Sequence, residues 1–195
     1  MKPTQSILIL LSLFLTFSFS EELRVEIIKR YDNGNKKLLV KYKGEGSDEV
    51  IVERITYGKN GETLKLEKLS ENMKMVWEYY NNGQIWKETN YKDDKLDGKW
   101  TSYYYENGQI WKETNYKEGE ESGEVTNYRE NGQVRFDGNH KEGKRDVGWT
   151  YYYENGQIWF EGDYKDGWED GTWTYYNEDG SIEKVEEYKD GELVE

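Results

Sequence analysis

The chain has 195 residues, with 8 Trp, 18 Tyr, a single His, no Cys and a formal net charge of −13. Disulfide stapling and thiolate–metal chemistry are thereby excluded, and so acidic a surface repels phosphate backbones and anionic lipid headgroups. Nucleic acid and acidic membranes are poor partners; a cationic protein or an uncharged glycan fits better.

Residues 1–20 read as a secretory signal peptide. Lys2 supplies the positive start, Ile7–Phe19 is a nearly continuous apolar run, and Ser18 and Ser20 place small residues before a cut preceding Glu21. The run is short for a membrane span, which needs about 20 residues. The mature chain is therefore expected in the periplasm or outside the cell.

Residues 21–76 form a less regular stretch. Val25–Tyr31, Lys37–Lys43, Glu49–Tyr57 and Thr63–Leu69 carry strand formers around Asn33-Gly34 and Asn60-Gly61. They are expected to be divergent hairpin repeats that cap the first edge of an open sheet.

Residues 77–195 are an array. The string Tyr-Tyr-Glu-Asn-Gly-Gln-Ile-Trp stands at Tyr104–Trp111 and again at Tyr152–Trp159. Gly83, Gly108, Gly132, Gly156 and Gly180 follow one another at 25, 24, 24 and 24 residues. A fixed period of this size marks stacked supersecondary units, not a globule around one cleft. Asn-Gly or Asp-Gly between alternating strand formers predicts a two-residue hairpin loop. A wider turn is expected at Tyr-Lys-Asp/Glu-Gly, as at Tyr164–Gly167, and a restart at Asp-Gly-x-Trp, as at Asp170–Trp173. The fold class is then all-β: an elongated, single-layer antiparallel meander of stacked hairpins, roughly 65 Å long for seven units at the usual strand spacing. Aliphatic residues are scarce after residue 20, so ring contacts between rungs, not a deep interior, should hold it together.

With Asn155-Gly156 as a two-residue loop, the opposed pairs are Glu154/Gln157, Tyr153/Ile158, Tyr152/Trp159, Tyr151/Phe160, Thr150/Glu161 and Trp149/Gly162. Alternation then divides the side chains into two faces. One holds Trp149, Tyr151, Tyr153, Ile158, Phe160 and Tyr164, with Trp149 covering the bare backbone of Gly162. The other gathers the candidate binding residues: Trp86, Trp111, Arg135 and Trp159 in one row, Tyr79, Tyr104, Tyr128 and Tyr152 across from them, and Glu88, Glu113, Asp137 and Glu161 behind. Such a row serves either as a ligand platform or as cross-strand reinforcement of a wetted sheet. One unit is a residue longer between Trp100 and Asn107, which predicts a β-bulge near Ser102.

Nothing in the chain reads as an active site. The acids recur with the array, whereas a catalytic pair should break the pattern. His140, the single histidine, takes a position held elsewhere by Tyr91, Tyr116 and Tyr164. The Asp clusters near Asp93 and Asp166 lack EF-hand spacing and suit turns. No metal or cofactor is expected.

The run Tyr-x-Glu-Asn-Gly-Gln-Ile, then Glu-Gly-Asp-Tyr-Lys-Asp-Gly, then Asp-Gly-x-Trp, continuous from Tyr152 to Trp173, resembles the MORN-repeat variant. The resemblance covers residues 77–195 strongly and 24–76 weakly. It implies a twisted antiparallel sheet of hairpins and a role in protein–protein contact or scaffolding, and many bacterial members carry an antitoxin-like label. Gly171–Ser181 is also similar to the aromatic repeats of cell-wall-binding modules. Two functions are thus in view: an exported non-enzymatic scaffold with a protein partner, or a glycan-binding module that stacks sugars on Trp86, Trp111 and Trp159.

Overall fold

The computed structural model describes residues 23–194; the expected signal peptide and its cut before Glu21 lie outside them. Its strands are β1 (Arg24–Arg30), β2 (Lys36–Lys43), β3 (Val50–Tyr57), β4 (Thr63–Leu69), β5 (Met73–Tyr79) and β6 (Ile85–Lys92). They continue as β7 (Lys95–Tyr103), β8 (Ile110–Lys117), β9 (Glu120–Tyr128), β10 (Val134–Lys141), β11 (Lys144–Arg145) and β12 (Trp149–Tyr152). Last come β13 (Ile158–Gly162), β14 (Tyr164–Lys165), β15 (Trp168–Glu169), β16 (Gly171–Tyr176), β17 (Ile182–Lys189) and β18 (Glu192–Leu193). Each long strand pairs with its sequence neighbour, giving one open antiparallel sheet of 16 strands, with β14 and β15 paired apart from it. The all-β meander expected from the repeats is the observed fold. The four N-terminal strands fall within a residue of their expected limits.

Two kinds of turn alternate, and they exchange the roles the sequence suggested. At the Asn155 tip, Tyr153 N–H donates to the Gln157 carbonyl at 2.8 Å and Gly156 N–H to the Tyr153 carbonyl at 3.1 Å. Gly156 has φ +86°, whereas Asn155 is not left-handed. This is a three-residue loop, a type I turn closed by a left-handed glycine, not the expected two-residue loop. Asn155 is held out of the left-handed region because its Oδ1 accepts the Gln157 N–H at 2.9 Å. The tight mirror-image turns lie at the other end of each hairpin. There Lys165 faces Trp168, and Asp166 and Gly167 have φ +54° and +93°. Positive φ at both central residues defines that turn.

A classic bulge follows each tip. Tyr151 faces Phe160 but Tyr152 faces Ile158, which leaves Trp159 as the extra residue. The three-residue loop moves the register by one and the bulge moves it back. The expected pairs Tyr151/Phe160, Thr150/Glu161 and Trp149/Gly162 are therefore present, while Tyr152/Trp159 and Tyr153/Ile158 are not. The longer unit absorbs its extra residue in the tip: Tyr104 N–H reaches the Gln109 carbonyl at 2.8 Å across a four-residue loop. Trp100 does face Thr114, as expected, and a bulge does lie beside Ser102 and Tyr103. Its extra residue, however, is Trp111 on the facing strand, and the longer turn takes up the additional residue of this unit.

A further break comes where each unit restarts. Gly98, Gly123, Gly148 and Gly171 have φ between +73° and +99°, and the ladder jumps there, from Thr114↔Val125 to Tyr116↔Glu121 in one instance. Past the break β14 and β15 pair apart from the main ladder, and the Tyr164 ring packs edge-on against Trp149 at 5.8 Å and Trp173 at 5.1 Å. Val125, Trp149, Tyr164 and Trp173 are buried together, with Phe136, Tyr151, Phe160, Tyr175 and Tyr188 packed around them. A small closed core thus exists where only a ladder of rings was expected. Arg145 lies over Trp149 and Tyr164 at 4.7 and 5.1 Å, adding cation–π contact.

The two buried indoles explain two glycines. Trp173 leans over Gly162, where a Cβ would lie 2.5 Å from its Cε2, and Trp149 leans over Gly138 in the same way. Each tryptophan shields the glycine of the preceding hairpin, not, as the sequence suggested, that of its own. Their Nε1–H groups donate to Asn139 O at 3.0 Å and Asp163 O at 3.2 Å, so burial leaves no indole donor unpaired.

Candidate functional site

The bulge decides where the candidate residues point. At a classic bulge both residues of the bulged strand project to one side. Trp86, Trp111, Arg135 and Trp159 all occupy the extra position. Ring contacts agree: Trp159 lies 4.8 Å from Phe160 and 5.8 Å from Tyr153, and Trp86 lies 6.3 Å from Tyr80 with Lys87 Nζ 4.8 Å above it. The tryptophans therefore share the face of Trp149 and Phe160, not the face of the carboxylates. The twelve candidates separate into two surfaces.

On the first surface Trp86, Trp111 and Trp159 are 43, 44 and 45 % exposed. The neighbouring Trp149 and Trp173, at 2 % each, are core. Equal exposure at one structural position shows that the local backbone, not chance packing, holds these rings at the surface. Units recur about every 10 Å along the sheet, so the rings form a spaced row interrupted by Arg135.

The opposite surface carries one unbroken row of directly opposed residues. It runs Ile27, Leu39, Ile55, Leu66, Trp77, Glu88, Thr101, Glu113, Thr126, Asp137, Thr150, Glu161, Thr174, Val185. Its first part is apolar; from Glu88 to Thr174 carboxylates alternate with threonines. Each carboxylate takes a phenol from the next hairpin. Tyr103 OH donates to Glu88 at 2.8 Å, Tyr128 OH to Glu113 at 3.4 Å and Tyr176 OH to Glu161 at 2.8 Å. Tyr152 sits against Asp137 in the same manner. Lys99 adds an ion pair to Glu113 at 2.5 Å. Burial, then the Glu88 carboxylate, pushes the Tyr103 phenol well above its usual range. For Tyr176 the hydrogen bond to Glu161 is the larger cause. Tyr79, at the start of the row, is raised by burial and the charge of Glu88. These acids accept from phenols of the neighbouring hairpin, an arrangement that joins hairpins.

Tyr104 does not belong to that row. The inserted residue in its tip moves it one place, and Tyr103 takes the expected position. Tyr104 instead donates to the Tyr128 carbonyl at 2.8 Å. Tyr80, Arg129 and Tyr153 make the same strut to Tyr103 O, Tyr152 O and Tyr176 O at 2.7, 2.5 and 2.7 Å. Tyr103 and Tyr176 were missed by sequence reasoning; counting forward from the preceding base turns, at Lys92-Asp93-Asp94 and Lys165-Asp166-Gly167, would have found them.

His140 sets an imidazole against the core. Its Nε2 lies 3.2 Å from Glu121 Oε2, its ring meets Trp149 edge-on at 5.3 Å, and its Nδ1 is buried without a partner. Glu121 also accepts from Lys112 at 2.7 Å and Tyr116 at 3.3 Å. Burial lowers the His140 pKa, assisted by Lys112 and Arg145 and opposed by Glu121. Burial raises the Glu121 carboxyl, but Lys112 and His140 outweigh it and leave it below its usual value. Near neutral pH the imidazole is therefore an uncharged donor from Nε2. Because its folded pKa lies below the unfolded value of about 6.5, the histidine contributes stability that is present above that value and lost as pH falls. The variant His140→Tyr, matching the other units, should melt increasingly higher than the parent as pH is lowered from about 7 to 5. A constant difference between the two melting curves would refute this.

Among the described residues no group of three or more His, Asp or Glu side chains is placed to hold a metal ion. The profile of the MORN repeat variant matches four segments, residues 77–93, 96–118, 149–166 and 169–190. The chain belongs to this family. No curated protein matches the chain. Between the second and third matched MORN-variant segments stands the unit holding Arg129, Arg135 and His140, three departures from the Tyr, Trp and Tyr of its neighbours. A chain of MORN-variant repeats is a repeat scaffold, and such scaffolds are generally interaction modules.

Proposed function

We propose that this chain is an exported, non-enzymatic scaffold that docks a protein partner on the row of bulged tryptophans. The observation that carries this reading is the equal half-exposure of Trp86, Trp111 and Trp159 beside the full burial of Trp149 and Trp173. Rings fixed by a bulge lose little side-chain freedom on contact, and tryptophan and arginine are the residues most enriched at the energetic centres of interfaces. Arg135 within the row supplies the second of these. The net charge of −13 favours a partner with a basic surface, which would be steered to the sheet by long-range attraction. The apolar run Ile7–Phe19 behind Lys2 supports delivery by the secretory route. An antitoxin-like role, implied by family resemblance, is one form such capping of a cationic partner can take.

The test is capture from the native envelope fraction by cross-linking, with the parent and a Trp86→Ala, Trp111→Ala, Trp159→Ala variant compared. A basic protein attached to the parent and lost from the folded variant supports the proposal. Equal capture by both removes the tryptophan row from the interface. Retention of the parent on cell-wall polysaccharide, abolished in the variant, would replace the protein partner with a glycan. Recovery of the chain from the cytoplasm with its first twenty residues intact would refute export.

A further inference from the structure

Six Asn-Gly dipeptides sit at hairpin tips: Asn33-Gly34, Asn60-Gly61, Asn82-Gly83, Asn107-Gly108, Asn131-Gly132 and Asn155-Gly156. Asparagine before glycine is the pair most prone to spontaneous deamidation, because the glycine nitrogen meets no neighbouring side chain as it attacks the amide carbon. The six tips treat the nucleophile alike. The Gly34, Gly61, Gly83, Gly108, Gly132 and Gly156 N–H groups donate within their own turns at 2.9, 3.1, 2.9, 3.0, 2.9 and 3.1 Å. They differ in what they do with the amide.

In five tips the Oδ1 accepts the N–H two residues on, at 3.1 Å for Asn33, 3.0 Å for Asn82, 2.9 Å for Asn107, 3.0 Å for Asn131 and 2.9 Å for Asn155. The Nδ2 groups of Asn33, Asn107 and Asn155 also reach the next tip, at Lys59 O, Glu130 O and Glu178 O. Those of Asn82 and Asn131 donate to Gln84 and Gln133. Succinimide formation requires the Cγ to swing onto the glycine nitrogen, so these bonds must break first. At Asn60 the tip chemistry changes. Glutamate stands where the others have Gln or Asn, and Glu62 turns its carboxylate back to accept the Asn60 backbone N–H at 3.1 Å. The Asn60 side chain makes no hydrogen bond of its own among the described residues.

We propose that Asn60-Gly61 is a spontaneous modification site of the folded protein, and that the other five tips are protected by the hydrogen bonds that hold their amides. The Gly61 nitrogen loses its proton and forms a bond to Cγ of Asn60. The bond from Cγ to the side-chain nitrogen breaks and ammonia leaves. Water then opens the succinimide at either carbonyl, which leaves aspartate or isoaspartate at position 60. The product adds a negative charge beside Glu62, and the isoaspartyl form lengthens the backbone of a turn that has no slack.

The experiment incubates the folded full-length chain at mildly alkaline pH and follows each tip by peptide mass mapping. Isoaspartate is scored by methyl transfer from an isoaspartyl methyltransferase. The peptide containing residue 60 should convert about tenfold faster than those containing residues 107 and 155, the factor expected when two ordinary hydrogen bonds protect an amide. In urea, where the turns are gone, the six should convert at similar rates. The variant Glu62→Gln, which restores the side chain found at the protected tips, should slow residue 60 toward their rate with the melting temperature unchanged. Equal rates in the folded state would overturn the proposal, as would another tip leading or a Glu62→Gln variant that converts as fast as the parent.

Discussion

Gly162→Ala is expected to lower the stability of the array by about 3 kcal/mol, the upper part of the range for forcing atoms into a packed core. The backbone of Gly162 is not left-handed, so the effect is not one of φ. It arises because a Cβ would lie 2.5 Å from Cε2 and 2.7 Å from Cγ of Trp173, an indole that is 2 % exposed and cannot tilt away. The repeats also supply the remedy. Where the facing position carries a Cβ, the residue above it is Val125, over Thr114, or Trp100, over Thr89, an indole less buried than Trp173. Gly162→Ala combined with Trp173→Val should therefore be less destabilised than the sum of the two single changes, a coupling read by a double-mutant cycle in urea. Strict additivity would show that indole and glycine do not act as a pair.

The second large effect separates a buried tryptophan from an exposed one. Trp149→Ala should cost about 4 kcal/mol, because it leaves a cavity beneath Tyr164 and Arg145 and removes the donor to Asn139 O. Trp159→Ala should cost under about 1 kcal/mol, as a ring already 45 % exposed has little left to lose. In a stack where each unit leans only on its neighbours, loss at Trp149 should also split the unfolding transition, with residues N-terminal to it melting apart from those beyond. Chemical denaturation followed by far-ultraviolet circular dichroism checks both points. Similar losses for the two variants would mean that the core is not where the structure places it.

Much of this was legible in the residues. The period of the turn glycines gave the meander, and the pairs Trp149/Gly162, Thr150/Glu161 and Tyr151/Phe160 were readable from sequence alone. The facing of Trp86, Trp111 and Trp159 was not. A three-residue tip and the bulge after it cancel in the count, so any test of register made below the bulge succeeds whether or not both are present. Only the residues from the tip to the bulge betray the difference, and the row of Trp86, Trp111, Arg135 and Trp159 is among them. The core was hidden for a related reason. Periodicity reports alternation within a strand, but the ladder breaks at the restart glycines, and that break is carried by φ at Gly148 and Gly171, not by hydropathy. The insertion at Tyr105 could be counted but not placed, because a bulge and a longer loop lengthen a unit equally.

The struts at the tips have a counterpart at the base, where the N–H groups of Gly119, Gly143, Gly167 and Gly191 donate to Leu96, Glu121, Arg145 and Glu169 of the preceding unit. Both seams, like the strand ladders, are crossed at right angles by a load applied along the length of the array. Tension between its two ends would therefore open one seam at a time, as in peeling, and never load many bonds together in shear. A protein built this way would lengthen under modest force in near-equal steps and re-form each step from the unit still standing beside it.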